Sequence, residues 1–225
     1  MKIASSLLLA LLCTLMFGCN KKAPDAPSSA NTATTASVTA SSPNSASQEP
    51  TEAQREMAQK RALMDYATME DQFINDPHGQ WASSVKASST FGDDNNASPS
   101  SSNSADNVKG GPDGNTWTNN HQDMGFDTVE VSYAKEVSAT QVRIVFQNGE
   151  GVEAVSKIEL QDSAGKWNTV WSGISEQKRD ERGPRTWFVR NFDKPAFKTK
   201  AVKITIANNV QRGYKVIDAL QLVGE

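Results

Sequence analysis

Apolar and polar residues alternate with a period of two along most of the chain after residue 127. Such alternation is typical of strands that bury one face and expose the other. The clearest runs are Val142, Ile144 and Phe146, followed by Val202, Ile204 and Ile206. With turn residues between successive runs, the pattern predicts strands near 84–89, 128–133, 141–146, 156–161, 167–171, 186–192, 202–207 and 216–223.

A single apolar face on each strand favours antiparallel pairing, because the strands of parallel sheets are buried on both faces. Short strands at this spacing predict an all-β, jelly-roll-like antiparallel sandwich. The polar residues between the apolar ones, Arg143, Lys203 and Thr205, are expected to face solvent. Trp167 and Trp171 are expected to share one strand face and to lie in the core.

The period changes to that of a helix over residues 51–76. Thr51 and Gln54 follow Pro50 with the spacing of a capping box, and Asp76-Pro77 ends the pattern. The predicted apolar stripe consists of Ala62, Tyr66, Met69 and Phe73, widened by Leu63, Ala67 and Ile74. This stripe packs either on the following domain or on a second copy of the helix, although it is short for a sustained heptad seam.

The N-terminus has the features of a secretory signal over residues 1–18. Lys2 precedes an apolar run that is too short to span a bilayer. Residues 15–19, LMFGC, resemble a bacterial lipobox, which implies cleavage before Cys19 and acylation of that residue. Ordinary signal cleavage, with Cys19 as a bystander, is the alternative.

Residues 19–50 are predicted to be a lipidated cysteine followed by a disordered tether. Of the 31 residues from 20 to 50, 25 are Ala, Ser, Thr, Pro or Asn, so little apolar surface offsets the entropy of ordering. A flexible chain of this length has a mean span of about 30 Å. Asn20, rather than Asp, is similar to lipoproteins sorted to an outer membrane. The predicted organisation is therefore signal 1–18, tether 19–50, helix 51–76 and sandwich 77–225.

Composition and charge exclude several classes of function. The net charge is −3, and no basic cluster indicates nucleic-acid binding. Cys13 and Cys19 are the two cysteines, so the predicted sandwich has no thiol chemistry. His78 and His121 fall in predicted loops without a paired nucleophile, and Asp93-Asp94 and Asp180-Glu181 are neighbouring carboxylates in charged loops. No enzymatic activity is expected.

Three segments carry a resemblance to a known family. Residues 148–173, NGEGVEAVSKIELQDSAGKWNTVWSG, resemble the middle of the discoidin-like (F5/8 type C, galactose-binding-like) domains. Residues 105–117, ADNVKGGPDGNTW, and 202–225 are similar to the early loop and the closing strands of that family. The resemblance covers roughly residues 80–225, and it implies a binding module on a galactose-binding-domain-like sandwich.

The same resemblance suggests a calcium site. The turn from Asp113 to Thr116 is similar to an Asp-Gly-x-Thr turn of the family, and Glu225 is a further candidate oxygen donor. Calcium requires six to eight hard oxygen ligands. The alternative is that Asp113-Gly114 is only a turn after Pro112.

Aromatic and polar residues near the loops are the candidate ligand-binding groups, because sugars present an apolar ring face and a rim of hydroxyls. Trp117 also has an alternative role as a plug at the end of the sandwich. Asp218 interrupts the apolar face of the last strand and is expected either to tie down a loop or to contact ligand. The candidates are Trp117, His121, Arg185, Trp187, Arg212 and Tyr214.

Taken together, these patterns predict a membrane-anchored, non-catalytic binding module of the bacterial cell envelope. The expected ligand is a glycan or an envelope polymer. A protein-interaction or structural module is the alternative, with the charged loop 172–185 as its surface.

Overall fold

The computed structural model describes residues 49–92 and 102–225. It contains a long helix, α1 (Glu52–Ile74), short 3-10 turns at Ala105–Val108 and Val152–Ala154, and ten strands. The strands are β1 (Gly79–Trp81), β2 (Ser84–Ala87), β3 (Trp117–Thr118), β4 (Phe126–Val137), β5 (Ala139–Gln147), β6 (Val155–Asp162), β7 (Trp167–Ser172), β8 (Arg185–Asn191), β9 (Thr199–Ala207) and β10 (Val216–Gly224).

The strands form two antiparallel sheets. Sheet A has the order β1-β10-β5-β8, with β3 also paired to β10, and sheet B has the order β2-β4-β9-β6-β7. The predicted all-β, jelly-roll-like sandwich is therefore confirmed, and every predicted strand is present. Strands β1 and β3 were not predicted, because three and two residues are too few to show a period.

The core lies between the two sheets and is built from the predicted alternation. The inner residues of β5 and β9 are fully buried, namely Val142, Ile144, Phe146, Val202, Ile204 and Ile206. Burial of such a side chain contributes about 1.5–3 kcal/mol each. The alternation of apolar residues therefore identifies the face of β5 and β9 that lies in the core.

Arg143 does not face solvent as predicted, because α1 covers the outer face of sheet A. This arginine is only 7% exposed. Its guanidinium pairs with Asp76 at 2.8 Å and lies 4.3 Å from the centre of the Phe73 ring. It also donates to Gln221 at 2.9 Å.

The prediction that Trp167 and Trp171 share a face is also wrong. Ile158 pairs with Trp171 but Glu159 pairs with Thr169, so Val170 is an extra residue that forms a bulge in β7. Trp171 consequently points inward onto Phe188, with ring centres 5.8 Å apart. Trp167 lies on the outer face, beneath the Lys203 ammonium at 4.2 Å.

Helix α1 begins at the predicted capping box, in which the Thr51 and Gln54 side chains each accept from the backbone N–H of the other residue. Its C-terminal half packs on sheet A, where Met69 and Phe73 contact a small cluster consisting of Trp81, Val145, Trp187 and Ala219. Packing on the domain is thus the alternative that the structure adopts. The stripe is narrower than predicted, since Leu63, Ala67 and Ile74 are exposed, as is all of residues 51–61.

Several predictions concern residues outside the described ranges. These are the signal 1–18, Cys13, Cys19, the tether up to residue 48, and Asp93-Asp94. No helix within residues 49–92 or 102–225 is long and apolar enough to cross a membrane.

Candidate functional site

Three loops meet at one end of the sandwich. The Gly213 N–H donates to Asp123 at 2.9 Å, and the Asn120 N–H donates to the Ser89 hydroxyl at 3.1 Å. Gly213 has a φ of 88°, a conformation that glycine adopts without steric cost. The loops comprise residues 88–92, 119–125 and 208–215.

Aromatic and polar side chains from these loops form a surface that we call the loop-end surface. The Phe91 and Tyr214 rings meet edge to face, with centres 4.8 Å apart and planes at 71°. Phe91 remains 40% exposed. Next to it lies a cavity of about 290 Å³, lined by residues 87–90, Asn120 and His121. The loop-end surface consists of Phe91, Asn120, His121, Arg212 and Tyr214.

A buried carboxylate, Asp127, organises the loops beneath this surface. It is 1% exposed. The hydroxyls of Ser88 and Ser89 donate to one carboxylate oxygen at 2.7 Å each. Asn119 and Asn208 donate to the other oxygen at 3.0 and 2.9 Å. One side chain therefore joins all three loops.

The charge on Asp127 is stabilised by these donors. Burial by itself would raise the pKa of Asp127, but the hydrogen bonds from Ser89, Asn119, Ser88 and Asn208 outweigh burial and lower that pKa below its ordinary value. The Nδ1 atom of His121 lies 3.4 Å from the same carboxylate. His121 is thereby oriented at the edge of the cavity, with just over half of its side chain exposed.

Lys215 ties the two longer loops together from below. It is fully buried, and its ammonium donates to the carbonyl oxygens of Gln122 and Gly213. Burial lowers the pKa of Lys215, while the nearby Asp123 and Asp127 raise it. The Lys215 N–H also donates to Asn119 at 2.8 Å. Buried polar contacts therefore hold these two loops together.

The structure places three of the six predicted ligand-binding residues on the loop-end surface and the other three away from it. His121, Arg212 and Tyr214 lie on the loop-end surface. Trp117 is fully buried, and its Nε1 donates to the Ser89 carbonyl at 2.9 Å, so it plugs the end of the sandwich. Its ring supports the loop from inside and has no access to a ligand.

Arg185 and Trp187 are also removed from this surface. Trp187 is 4% exposed, and its Nε1 donates to Glu70 of α1 at 3.3 Å. Arg185 pairs with Glu70 at 3.3 Å and with Asp218 at 3.0 Å. Both residues fix the helix to sheet A, because their partners lie on α1 and β10.

Sequence reasoning missed Phe91 and Asn120. Phe91 follows a Ser/Thr-rich stretch and precedes Gly92, so no periodicity marks it. Asn120 lies between Asn119 and His121, and this Asn-Asn-His run, which begins two residues after Trp117, is the signal in the sequence that could have identified it.

Asp218 holds the loop at Asp113 in place, which is one of the two roles predicted for it. Its carboxylate accepts from the backbone N–H groups of Asp113 at 3.0 Å and Gly114 at 3.2 Å. Asp218 is fully buried, and the register of β10 shifts between Ile217 and Ala219, so the strand is irregular at this residue. The second carboxylate oxygen of Asp218 accepts from Arg185 at 3.0 Å.

The residues predicted to bind calcium are not brought together. Trp117, next to Thr116, pairs with Ile217 at one end of β10, whereas Glu225 follows Gly224 at the other end. Asp218 and Glu225 are seven positions apart along the chain, which corresponds to about 23 Å in a strand.

The Asp113 turn by itself supplies few free oxygens. Both carboxylate oxygens of Asp113 accept from Asn115, through its N–H at 2.8 Å and its Nδ2 at 3.0 Å. These bonds lower the pKa of Asp113. Within the described residues, no group of three or more His, Cys, Asp or Glu side chains is arranged to hold a metal ion. Asp113 and Thr116 therefore lie at one end of β10 and Glu225 at the other, and calcium binding at the Asp113 turn stays a prediction.

No protein-family model matches the chain, and no curated protein matches it significantly. Several solved structures are similar in fold. A chitosan-binding module from a chitosanase/glucanase of Paenibacillus sp. IK-5 is 12% identical and has a TM-score of 0.47, over 63% of this chain and 94% of that one. The family 32 carbohydrate-binding module of Clostridium perfringens NanJ, solved with galactose, is 18% identical with a TM-score of 0.47, over 64% and 98%.

A third similar structure is the family 32 module of AlyQ in complex with 4,5-unsaturated mannuronic acid. It is 17% identical with a TM-score of 0.46, over 64% of this chain and 96% of that one. Because each of these TM-scores is below 0.5, the assignment of the fold rests on the strand pairing described above.

Proposed function

We propose that this chain is a membrane-anchored, non-catalytic module of the cell envelope that binds a glycan or envelope polymer at the loop-end surface. The observation that carries the proposal is the Phe91–Tyr214 pair, in which Phe91 is exposed and Tyr214 is half-buried, beside a polar cavity lined by Asn120 and His121. An aromatic face matches the apolar face of a sugar ring, and amide, imidazole and hydroxyl groups match its hydroxyls.

The rigidity of the loops supports a binding role. Asp127 and Lys215 are buried and fully engaged, so the polar groups at the surface are held before a ligand arrives. Loops that are already ordered lose less conformational entropy on binding. Arg212 is exposed at the rim and suits a ligand that carries a carboxylate or sulfate.

The anchor is the part of the proposal that rests on sequence. Cys19 at the end of an apolar run supports acylation, and three acyl chains would bind a bilayer firmly at about 0.8 kcal/mol per methylene group. A tether with a mean span of about 30 Å would then connect the lipid anchor to the sandwich.

A glycan array probed with the full-length protein, followed by calorimetric titration of the best ligand, tests this function. Removing about 60 Å² of ring contact at about 25 cal/mol/Å² costs about 1.5 kcal/mol, so Tyr214→Ala should weaken binding about tenfold. Trp167→Ala is the matched control, because Trp167 lies on the outer face of sheet B. Equal binding by wild type, Tyr214→Ala and His121→Ala would exclude the loop-end surface.

A further inference from the structure

Strand β8 is an edge strand of sheet A, since it pairs with β5 on one side only. Two hydrogen bonds that continue this ladder define its register. Phe192 N–H donates to Thr140 at 3.0 Å, and Asn148 N–H donates to Pro184 at 2.8 Å. In an antiparallel pair, hydrogen-bonded positions recur at every second residue. Even-numbered residues of β8 therefore bond to β5, and odd-numbered residues direct their backbone N–H and C=O away from it.

The first odd-numbered position is already occupied by a side chain of α1. The Tyr66 hydroxyl donates to the Arg185 carbonyl at 3.0 Å and accepts from the Arg185 N–H at 3.3 Å. Gly183 makes this approach possible, because a Cβ there would lie 2.2 Å from the Tyr66 ring. A single phenol thus takes the place that a neighbouring strand would otherwise take at Arg185.

Beyond Trp187, the outward positions Val189 and Asn191 of the same edge are open in the part of the chain that the structure describes. Within residues 49–92 and 102–225, no hydrogen bond engages the backbone of Val189 or Asn191 on the side away from β5. A cleft of about 560 Å³ runs beside this edge, between Phe188–Arg190 and the loop residues 176–182. Val189 and Asn191 repeat their outward groups about every 7 Å, which is the two-residue repeat of an extended peptide.

The cleft is lined by four cationic and three acidic side chains, and among the described residues Arg190 is the cation of this lining that forms no ion pair, while Glu176 is its unpaired carboxylate. Lys178, Arg179 and Arg182 pair with Glu153, Glu181 and Asp180. Arg190 forms no ion pair within the described residues, and its guanidinium is stacked 4.4 Å from the Trp171 ring centre. Its Nε atom is buried without a hydrogen-bond partner there. A guanidinium that packs over an aromatic ring has restricted freedom, so it is preorganised to receive a carboxylate.

We propose that the open edge of β8 binds an extended peptide segment of a partner protein, which adds as a further strand and places an acidic side chain against Arg190. Backbone groups of Val189 and Asn191 would supply the ladder, as in other strand-addition complexes. Residues 176–182 line the cleft opposite this edge. A strand of a second copy would bring its whole sheet against these residues, whereas a single extended segment would not, so the proposed occupant is a single segment.

Amide hydrogen exchange of the full-length protein, followed by NMR, tests the open edge directly. The N–H groups of Phe188 and Arg190 should exchange slowly, because they bond to β5, and those of Val189 and Asn191 should exchange at least about tenfold faster. Slow exchange at all four positions would mean that the edge is already satisfied and would overturn the proposal.

Binding is tested with random decapeptides displayed on phage, and the selected peptides are then titrated as synthetic probes. Val189→Pro removes the outward N–H, and an edge strand tolerates proline at such a position. Val189→Ala is the matched control that keeps this N–H. We expect Val189→Pro to weaken peptide binding at least about tenfold, and Val189→Ala to weaken it less than about threefold. Thermal unfolding verifies that both variants fold.

Arg190→Gln provides a second variant that leaves the backbone unchanged. It should weaken binding of Glu- or Asp-containing peptides, and the selected peptides should slow amide hydrogen exchange at Val189 and Asn191.

Equal peptide binding by wild type and Val189→Pro would overturn the proposal. A second outcome would also overturn it, namely that polygalacturonate binds, that Arg190→Gln abolishes this binding and that Val189→Pro leaves it unchanged. That result would assign the cleft to acidic polysaccharides. Glycan binding at the loop-end surface is measured separately, and Tyr214→Ala should leave peptide affinity unchanged.

Discussion

Replacing Asp127 by asparagine removes one negative charge from the centre of the three loops while keeping the shape of the side chain. The carboxylate accepts four strong hydrogen bonds, from Ser88, Ser89, Asn119 and Asn208, at 2.7 to 3.0 Å. A hydrogen bond to a charged group contributes about 1.5–3 kcal/mol and a neutral one about 0.5–1.5 kcal/mol. With about 1 kcal/mol lost per bond, the free energy of unfolding should fall by about 2–4 kcal/mol.

Relief of the desolvation cost opposes this loss, because a buried amide is less costly than a buried carboxylate. The direction of the pKa shift decides which effect dominates. The pKa of Asp127 is lowered, so the folded site favours the charged form despite its burial. In a domain of this size, a loss of 2–4 kcal/mol corresponds to a fall in the melting temperature of roughly 6–12 °C.

Thermal unfolding followed by circular dichroism at neutral pH measures the effect. Asp193→Asn, at an exposed position, is the control and should remain within about 0.5 kcal/mol of wild type. Since the folded pKa lies below the unfolded value of about 3.9, the stabilisation is present above that pH and is lost as the pH falls through the folded pKa. Asp127→Asn should abolish that part of the acid dependence. A melting temperature for Asp127→Asn within about 2 °C of wild type would refute this account of the loop-end surface.

Three further predictions concern the helix, the metal and the anchor. Tyr66→Phe should reduce the free energy of unfolding by about 1–2 kcal/mol in urea titrations, because both backbone groups of Arg185 lose their partner; no change would show that water replaces the phenol. Melting temperatures measured in EDTA and in millimolar calcium should agree within about 1 °C. A rise in the melting temperature with calcium that Asp113→Ala removes would instead support a calcium site at Asp113. Cys19→Ser should move the protein from the membrane fraction to the soluble fraction on sedimentation, and unchanged sedimentation would exclude lipidation.

The sequence predicted the sandwich well because its information is local. Every second residue from Val142 to Phe146 in β5 and from Val202 to Ile206 in β9 is a branched or aromatic apolar side chain, and all six are buried in the core. The failures arise where a second element decides the outcome. Arg143 is polar in sequence but lies beneath α1, and one inserted residue at Val170 reverses the face of Trp167.

The candidate site was less predictable than the fold. Trp117 and Trp187 share the chemistry of binding residues but are buried by partners distant in sequence, namely Ser89 and Glu70. Phe91 is exposed because the loop that carries it packs through Ser89 and leaves its ring outside. Loop residues have no period, so their exposure depends on contacts that a single sequence does not display.

The direction of α1 has a consequence for how the protein is oriented in its surroundings. Tyr66 contacts Arg185 near the loop end of sheet A, Phe73 contacts Gln221 further along β10, and Gly79 pairs with Val223 at the opposite end. The helix therefore crosses sheet A from β8 toward β10, and its exposed turns before Tyr66, about 20 Å long at 1.5 Å per residue, lie toward the loop end. The polypeptide thus enters the domain from the side on which the glycan is proposed to bind. A glycan bound at the loop-end surface would therefore lie on the same side of the domain as these turns, and we expect short oligosaccharides and chain ends to reach it more easily than the middle of a long polymer.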